Sequence, residues 1–337
     1  MKKNFEYCIF IGRCQPFTLA HDELLQDALL LGEHVIFVLG SHNKAQDIRD
    51  PFTSQLREAM IRNSLSPEDN ERITFIYMRD YLYNENLWVT ELQQKVYQET
   101  NGSTSIAMIG YEQPRTAYLK LFPQWKLHKA AYISDYFSTA EIRALYFTDS
   151  DEYKKYVPAG VAEFLEVFKR GKFRDLKEEF KAIESYKKAW ENAPFPPTFN
   201  TVDAVCIKSG HILVVRRKGT PGRGLIALPG GFLNQGETLQ VGAIRELKEE
   251  TKIKVSKEEL DKSVVECKVF DHPERSLRGR TITHAFLINL KSGPLPQVQG
   301  NDDADKAWWM PLSEFYTRED SFFEDHFHMI NYFVNKF

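Results

Sequence analysis

No run of ~18 apolar residues occurs in the sequence, so no segment has the make-up of a membrane-spanning helix. A surplus of either charge is also missing: 44 Lys and Arg stand against 47 Asp and Glu, a formal net charge of -3. That excludes the broad basic footprint of a nucleic-acid binder and leaves room for local positive clusters that hold small phosphorylated molecules. Cysteine is sparse. Cys8, Cys14, Cys206 and Cys267 form no C-x-x-C pair, which suggests neither a zinc cluster nor a disulfide framework and predicts reduced thiols in a cytoplasmic protein. The first apolar stretch, Tyr7 to Ile11, is too short for a secretory signal. There is no internal repeat and no low-complexity tract. What is present is an ordinary globular composition, 27% charged and 42% hydrophobic, over 337 residues. At roughly 100–200 residues per domain, that length predicts two domains.

The first ~150 residues alternate strand and helix signals. Tyr7 to Ile11 is a short apolar run ending at Gly12. His21 to Leu31 carries Leu24, Leu25 and Ala28 on one helical face, with Gly32 as its stop signal. His34 to Leu39 is a second strand, and further runs lie at Ile73 to Met78 and Ser105 to Ile109. A succession of βαβ units predicts a doubly wound parallel α/β sheet. Residues 151–185 read as a charged helical extension of this first domain, 1–185. Pro194, Pro196 and Pro197 break any helix, so 186–200 is predicted to be a linker. Over 201–337 strand signals dominate, at Val202 to Ile207, His211 to Val215, Ser263 to Phe270 and Thr281 to Leu290. One helix, Leu239 to Lys252, interrupts them, which predicts an α+β domain with a mixed sheet.

That helix carries the strongest chemical signal. Gly231 is followed by Glu237 and, seven residues later, by Arg245-Glu-Leu-Lys-Glu-Glu250. Glu246, Glu249 and Glu250 stand at i, i+3 and i+4, so they share one face. Like charges at that spacing repel by a few tenths of a kcal/mol per pair, and a hard divalent cation with oxygen ligands removes the repulsion. Arg245 is placed to hold Glu249. Gly230 and Gly231 allow a tight turn that brings a backbone carbonyl to the metal. Six fixed identities at this spacing arise by chance on the order of once in 10^5 chains of this length.

The pattern resembles the Nudix box, Gly-x5-Glu-x7-Arg-Glu-(apolar)-x-Glu-Glu-x-Gly-(apolar). Lys252 replaces the final Gly, with Ile253 after it. The resemblance implies pyrophosphate hydrolysis by a metal-activated water, with Mg²⁺ or Mn²⁺ as the ion. It makes Glu249 and Glu250 metal ligands, Glu246 a ligand or the water-orienting base, Glu237 a ligand or a supporting group, and Gly231 part of the metal turn. Which carboxylate is the general base stays open. Pro221 to Gly231, Asp271 to Arg280 with His284, and Asn301 to Lys306 are similar to the ADP-ribose pyrophosphatases. There Arg275, Arg278 and Arg280 could neutralise a diphosphate, although the family more often has Arg-Asp-Pro-Arg at 275–278. Asp302 or Asp303 would add a late metal or substrate contact, or cap a turn.

At the other end, the first strand runs into Gly12-Arg-Cys-Gln-Pro-Phe-Thr-Leu-Ala-His21 and then a helix. A glycine turn at a helix N-terminus is a ready anion site, and Thr18 and His21 can reach one phosphate there. Ser138-Thr-Ala-Glu141 reads both as a capping box and, with Arg143, as a second phosphate clamp. These two elements resemble the nucleotidyltransferase superfamily, which has a Rossmann-like fold. Gly12-Arg13 with Gln15-Pro-Phe17, Asp50 to Thr53 with Arg57, Arg79 to Asn84 leading to Trp88, Ile109-Gly110 and Val157-Pro158 are similar to the nicotinamide mononucleotide (NMN) adenylyltransferases. The resemblance covers nearly all of 5–168. It implies attack of the NMN phosphate on the α-phosphate of ATP, with His21 and Thr18 on ATP phosphates and Arg13 and Arg143 neutralising developing charge. Trp88 would stack on the cationic nicotinamide ring, and Gly12, Gln15, Phe17, Asp80, Gly110, Ser138 and Thr139 would complete the ATP and NMN site. Ala20 and Cys14 depart from the family pattern, Ala20 by adding a methyl where the backbone approaches the nucleotide.

The two resemblances occur together, in this order, in the bifunctional NMN adenylyltransferase/Nudix hydrolases, and the tail Phe322 to Met329 is similar to that family's ending. The implied substrates are ATP, NMN and ADP-ribose, with no nucleic-acid or membrane partner; a homo-oligomer is compatible. The alternatives are a transferase for another phosphate ester joined to a hydrolase of another nucleoside diphosphate, and a Nudix-based sensor of NAD metabolites. The intact carboxylates argue against the sensor.

Overall fold

A computed structural model describes residues 3–111, 114–130 and 137–335, with the side chains of 114–117 outside that description. The chain divides into two compact units, Met1–Lys177 and Glu178–Phe337.

In the first unit, five strands form a wholly parallel sheet: β1 (Phe5–Gly12), β2 (Gly32–His42), β3 (Ile73–Arg79), β4 (Ile106–Gly110) and β5 (Lys126–Lys129). Around it lie α1 (Leu19–Leu31), α2 (Ser54–Arg62), α3 (Pro67–Glu71), α4 (Glu85–Glu99), α5 (Thr139–Phe147), α6 (Ala159–Phe168) and the first part of α7 (Phe173–Lys188). The inner strands are apolar along their length because both sheet faces are covered. Cys8, Ile9, Phe10 and Val35 to Leu39 are all buried. One core layer joins Ile9, Ile36, Val38, Ile76 and Met78 to Leu92 and Val96 of α4. The strand order is β3-β2-β1-β4-β5. Its direction reverses between β1 and β4, and the carboxyl ends of strands at such a switch point form a ligand crevice. Gly12 ends β1 there and Gly110 ends β4.

The second unit is a mixed sheet of β6 (Thr198–Lys208), β7 (His211–Arg217), β8 (Ile226–Ala227), β9 (Gly230–Phe232), β10 (Val264–Phe270), β11 (Arg280–Asn289) and β12 (Ala304–Pro311). The order is β10-β11-β6-β7-β12, with β8 on β7 and β9 on β6. Only β11 and β6 run parallel among these pairs. The helices are α8 (Leu239–Thr251), α9 (Lys257–Lys262), α10 (Leu312–Phe315) and α11 (His326–Val334). Ile244 and Leu247 of α8 pack on Ala204, Cys206 and Leu213, and burial of each contributes roughly 1.5–3 kcal/mol. This fixes which face of α8 turns away from that core with Glu246 and Glu249.

The boundary between the units falls inside α7, ahead of the proline break. The later part of the segment belongs to the second unit by its contacts: Glu179 accepts a hydrogen bond from Gly222 N, and Tyr186 and Trp190 pack on Phe199 at 5.8 and 5.2 Å between ring centroids. Among the described residues no helix is long and apolar enough to cross a membrane.

Candidate functional site

At the switch-point crevice, Thr18 is the N-cap of α1. Its Oγ1 accepts from His21 N, while His21 Nδ1 accepts from Thr18 N at 3.1 Å and lies 2.9 Å from Thr18 Oγ1. The two residues expected to share a phosphate are therefore joined to each other as a capping box. The imidazole also lies over the Phe17 ring at 5.8 Å, which sets its plane. Gly12 and Arg13 stand at the start of the same turn. Arg13 is exposed.

Arg143 reaches this turn from α5. It is half-buried, and donates from Nη1 to Gln15 O at 2.6 Å and from Nε to Ile48 O at 3.1 Å. Ser138 caps α5: its Oγ accepts from Glu141 N, and its own N–H donates to the Glu141 carboxylate at 2.7 Å. Thr139 is the first helical residue. Gln15 has a different role from the one expected of it. It is buried, and both ends of its amide pair with the backbone of Phe52. Asp80 accepts from Ser41 N at 3.2 Å. Trp88 is half-buried on α4, with its edge contacts to Tyr118 and Phe122 at 5.5 and 5.8 Å making an aromatic wall.

The arrangement depends on residues that periodicity could not single out. Arg57 is 0% exposed and donates to the carbonyls of Arg13, Gly40 and Ser41. It thus ties the ends of β1 and β2 together. Lys44 pairs with Asp50 and Asp47. Burial pushes the Asp50 carboxyl up, but the Lys44 ammonium outweighs this and, with Arg13 and Arg143, holds it at about 2. Asp50 Oδ1 and Ser41 Oγ are buried with no hydrogen-bond partner. The crevice is thus an array of fixed charge and polar atoms suited to a phosphorylated ligand. The Cys14 thiol is no nucleophile, since burial pushes it up to about 12.

In the second unit, β9 pairs with β6 and places Gly231 opposite Val202. A Cβ added at Gly231 would stand 2.5 Å from Glu246 Oε1, so a larger residue there would push the Glu246 carboxylate from its place. Arg245 binds three carboxylates. It donates to both oxygens of Glu237 at 3.0 and 2.7 Å, and to Glu246 and Glu249 at 2.8 Å each. These bonds hold Glu237 down at about 2. Burial raises Glu246 against the pull of Arg245.

Glu250 is set differently. It is 7% exposed and accepts from Gly230 N at 3.2 Å. Burial pushes it up to about 8, with Glu246 and Asp203 adding to the rise. Among the described residues no three His, Cys, Asp or Glu groups are already gathered as a ligand cage, and three of the carboxylates are bonded to Arg245. The donor set nevertheless fits a hard dication: all oxygen, on one helix face, with a glycine cradle and one carboxyl that burial disfavours as an anion.

The three arginines of the 275–280 stretch separate. Arg275 is buried in a two-pronged ion pair with Asp325, at 2.9 and 2.8 Å. Its guanidinium is engaged inside the domain, so it departs from the expected diphosphate contact. Arg278 stays half-buried over the Phe232 ring at 5.3 Å. Arg280 donates to Asp271 O. Asp302 and Asp303 are exposed in the turn after Asn301, which donates to the carbonyls of Glu249 and Glu250 at the end of α8. Arg217, not foreseen, lies over the Phe323 ring at 4.1 Å, and its charge acts on Glu250 and Asp303.

Residues 9–144 match the Cytidylyltransferase-like family, and 197–333 match the NUDIX domain. The nicotinamide/nicotinic acid mononucleotide adenylyltransferase of Acinetobacter baylyi is 32% identical over 184 residues, 54% of this chain and 97% of that protein. The ADP-ribose pyrophosphatase of Methanocaldococcus jannaschii is 35% identical over 112 residues, 33% of this chain and 61% of that protein. A bifunctional NMN adenylyltransferase/ADP ribose pyrophosphatase from Francisella tularensis, whose crystal structure was determined in complex with AMP and an Mn ion, superimposes with a TM-score of 0.94 at 35% identity, covering 98% of this chain and 99% of that one. Both units, in the same order and over nearly their full length, thus have their counterpart in one protein, and the chain belongs to the family of bifunctional NMN adenylyltransferase/ADP-ribose pyrophosphatases.

Proposed function

We propose that the first unit transfers AMP from ATP to NMN, giving NAD and pyrophosphate, and that the second hydrolyses ADP-ribose to AMP and ribose 5-phosphate with Mg²⁺ or Mn²⁺. The observation that carries the first half is the Thr18–His21 cap of α1, with Arg143 bonded to Gln15 O in the turn that leads into it. The second half rests on the Arg245-linked carboxylates facing the Gly231 turn. A cytoplasmic location belongs to the same proposal.

In the transferase, free N–H groups at the start of α1 and His21 hold ATP phosphates, with Thr18 fixing the imidazole. Arg13 and Arg143 offset charge that builds on the phosphates, so the reaction relies on positioning and electrostatics. Trp88 offers an aromatic face to the cationic nicotinamide ring. Gln15, Ser138 and Thr139 shape the walls, and Asp80 fixes the end of β2 through Ser41 N.

In the hydrolase, the dication supplies charge neutralisation on the diphosphate and makes water more acidic. Glu249 and Glu250 are its ligands, with Glu246 as a further ligand or as the base, and Glu237 holding Arg245. Arg278 and Arg280 take the diphosphate charge. Arg275 shapes their loop from beneath.

Product analysis with Mg²⁺ tests both halves. NMN plus ATP should give NAD, lost in His21→Ala and kept in Glu249→Gln. ADP-ribose should give AMP, lost in Glu249→Gln and kept in His21→Ala. Loss of both products in either variant would mean that the two sites are not separate.

A further inference from the structure

The Phe322–His326 segment lies outside the carboxylate helix, yet it is bonded to the stretch that leads into the Gly231 turn and to the 275–277 loop. Phe323 N donates to Ile226 O at 2.8 Å, and Phe322 bridges Ile226 in parallel. Asp325 pairs with Arg275, and Glu324 accepts from Ser276 Oγ at 2.8 Å and Leu277 N at 3.3 Å. His326 is buried, and its Nδ1 accepts from Leu228 N at 2.9 Å. Burial pushes the imidazole down to about 3, so the ring stays neutral and Nδ1 remains an acceptor near neutral pH. Beyond Leu228, Pro229 O accepts from Ala204 N at 2.9 Å and Gly230 N donates to Glu250. Three successive backbone groups are thus fixed by three separate elements before the chain reaches Gly231.

We infer that His326 is a positioning residue of the hydrolase: through Leu228 N it fixes the Leu228–Gly231 turn against Glu250, so that the turn and the carboxylate together present a site for a divalent cation. This rests on the metal-dependent hydrolase reading. His326 touches neither substrate nor cation. Its influence passes through the backbone, as outer-shell partners of metal ligands act.

The test uses the full-length protein with two variants. H326L keeps the bulk and removes the acceptor; H326N keeps an acceptor at the Nδ1 position. Mn²⁺ binding is followed by electron paramagnetic resonance without substrate, ADP-ribose hydrolysis is measured in parallel, and NAD formation checks that the first unit is intact. H326L should bind Mn²⁺ about tenfold or more weakly, with hydrolysis falling alongside, and H326N should recover most of both. Unchanged Mn²⁺ affinity in H326L would overturn the inference. So would an H326N protein whose second unit melts normally but binds Mn²⁺ tenfold or more weakly than the unaltered protein; this arm decides the matter if H326L does not fold. Failure of the hydrolase reading is distinguishable, because the unaltered protein would then leave ADP-ribose intact while the Mn²⁺ titration still reported on His326.

Discussion

Arg275 and Arg278 are three residues apart and have different surroundings. The Arg275–Asp325 side chains are 2% and 1% exposed. Removing one partner of such a buried pair leaves an uncompensated charge and costs about 3–5 kcal/mol. Arg275→Met should therefore lower the urea midpoint of the second unit sharply. Arg278→Ala should leave that midpoint nearly unchanged and raise the KM for ADP-ribose roughly tenfold, the effect of one charge-assisted hydrogen bond. Equal stability losses in the two variants would refute the division of labour. Glu250 adds a pH signature. Its pKa is raised to about 8 in the folded protein, so its neutral form is favoured there. The associated stability is complete below the ordinary glutamate value of ~4.5 and is lost as pH rises through about 8. With divalent ions chelated, Glu250→Gln should gain in melting temperature relative to the unaltered protein between pH 5 and pH 8.5. A constant difference across that range would show that Glu250 ionises normally.

Helix α8 shows how far an element was legible in the sequence. Its span, Leu239–Thr251, and its carboxylate face follow from helical spacing alone, because Ile244 and Leu247 must turn inward. Its exit is less regular. Lys252 adopts a left-handed conformation, φ 48° and ψ 29°, where a side chain costs about 1–2 kcal/mol and glycine does not. Lys252→Gly should therefore raise the stability of the second unit by up to about 1 kcal/mol and leave hydrolysis within twofold; a loss of stability would mean that the lysine side chain compensates the strain. The inner strands β1, β2 and β4 were legible because buried parallel strands are uninterrupted apolar runs, whereas the antiparallel β12, Ala304–Pro311, was not foreseen. Strands β8 and β9 were not foreseen either, because two or three residues carry no periodicity. The roles of Arg275, Gln15 and Arg57 were also hidden. Each is decided by a partner distant in sequence: Asp325 is 50 residues away, Phe52 37 and the Arg13 carbonyl 44. Motif spacing finds the groups that meet a ligand when they share a helix or a turn. It does not find buried polar groups that hold separate loops together.

At the scale of the whole molecule, each unit closes its own core: the Ile9–Trp125 layer in the first, the Ala204–Leu290 layer in the second. The carboxylates assigned to the cation all lie in the second unit. A ligand that binds only the folded form stabilises the unit that binds it, by about 2.7 kcal/mol at a hundred times its dissociation constant. Mn²⁺ should therefore raise the melting transition of the second unit and leave that of the first in place. Point variants identify the transitions: Arg275→Met lowers one, and Arg57→Met, which removes the donor to the Arg13, Gly40 and Ser41 carbonyls, lowers the other. Glu249→Gln should abolish most of the Mn²⁺ shift without moving the first unit's transition, because Glu249 is 45% exposed and is bonded to Arg245 within the second unit. A Mn²⁺ shift carried by the transition sensitive to Arg57 would place the cation among the Asp47, Asp50 and Asp80 carboxylates instead, and the assignment of metal chemistry to α8 would have to be abandoned.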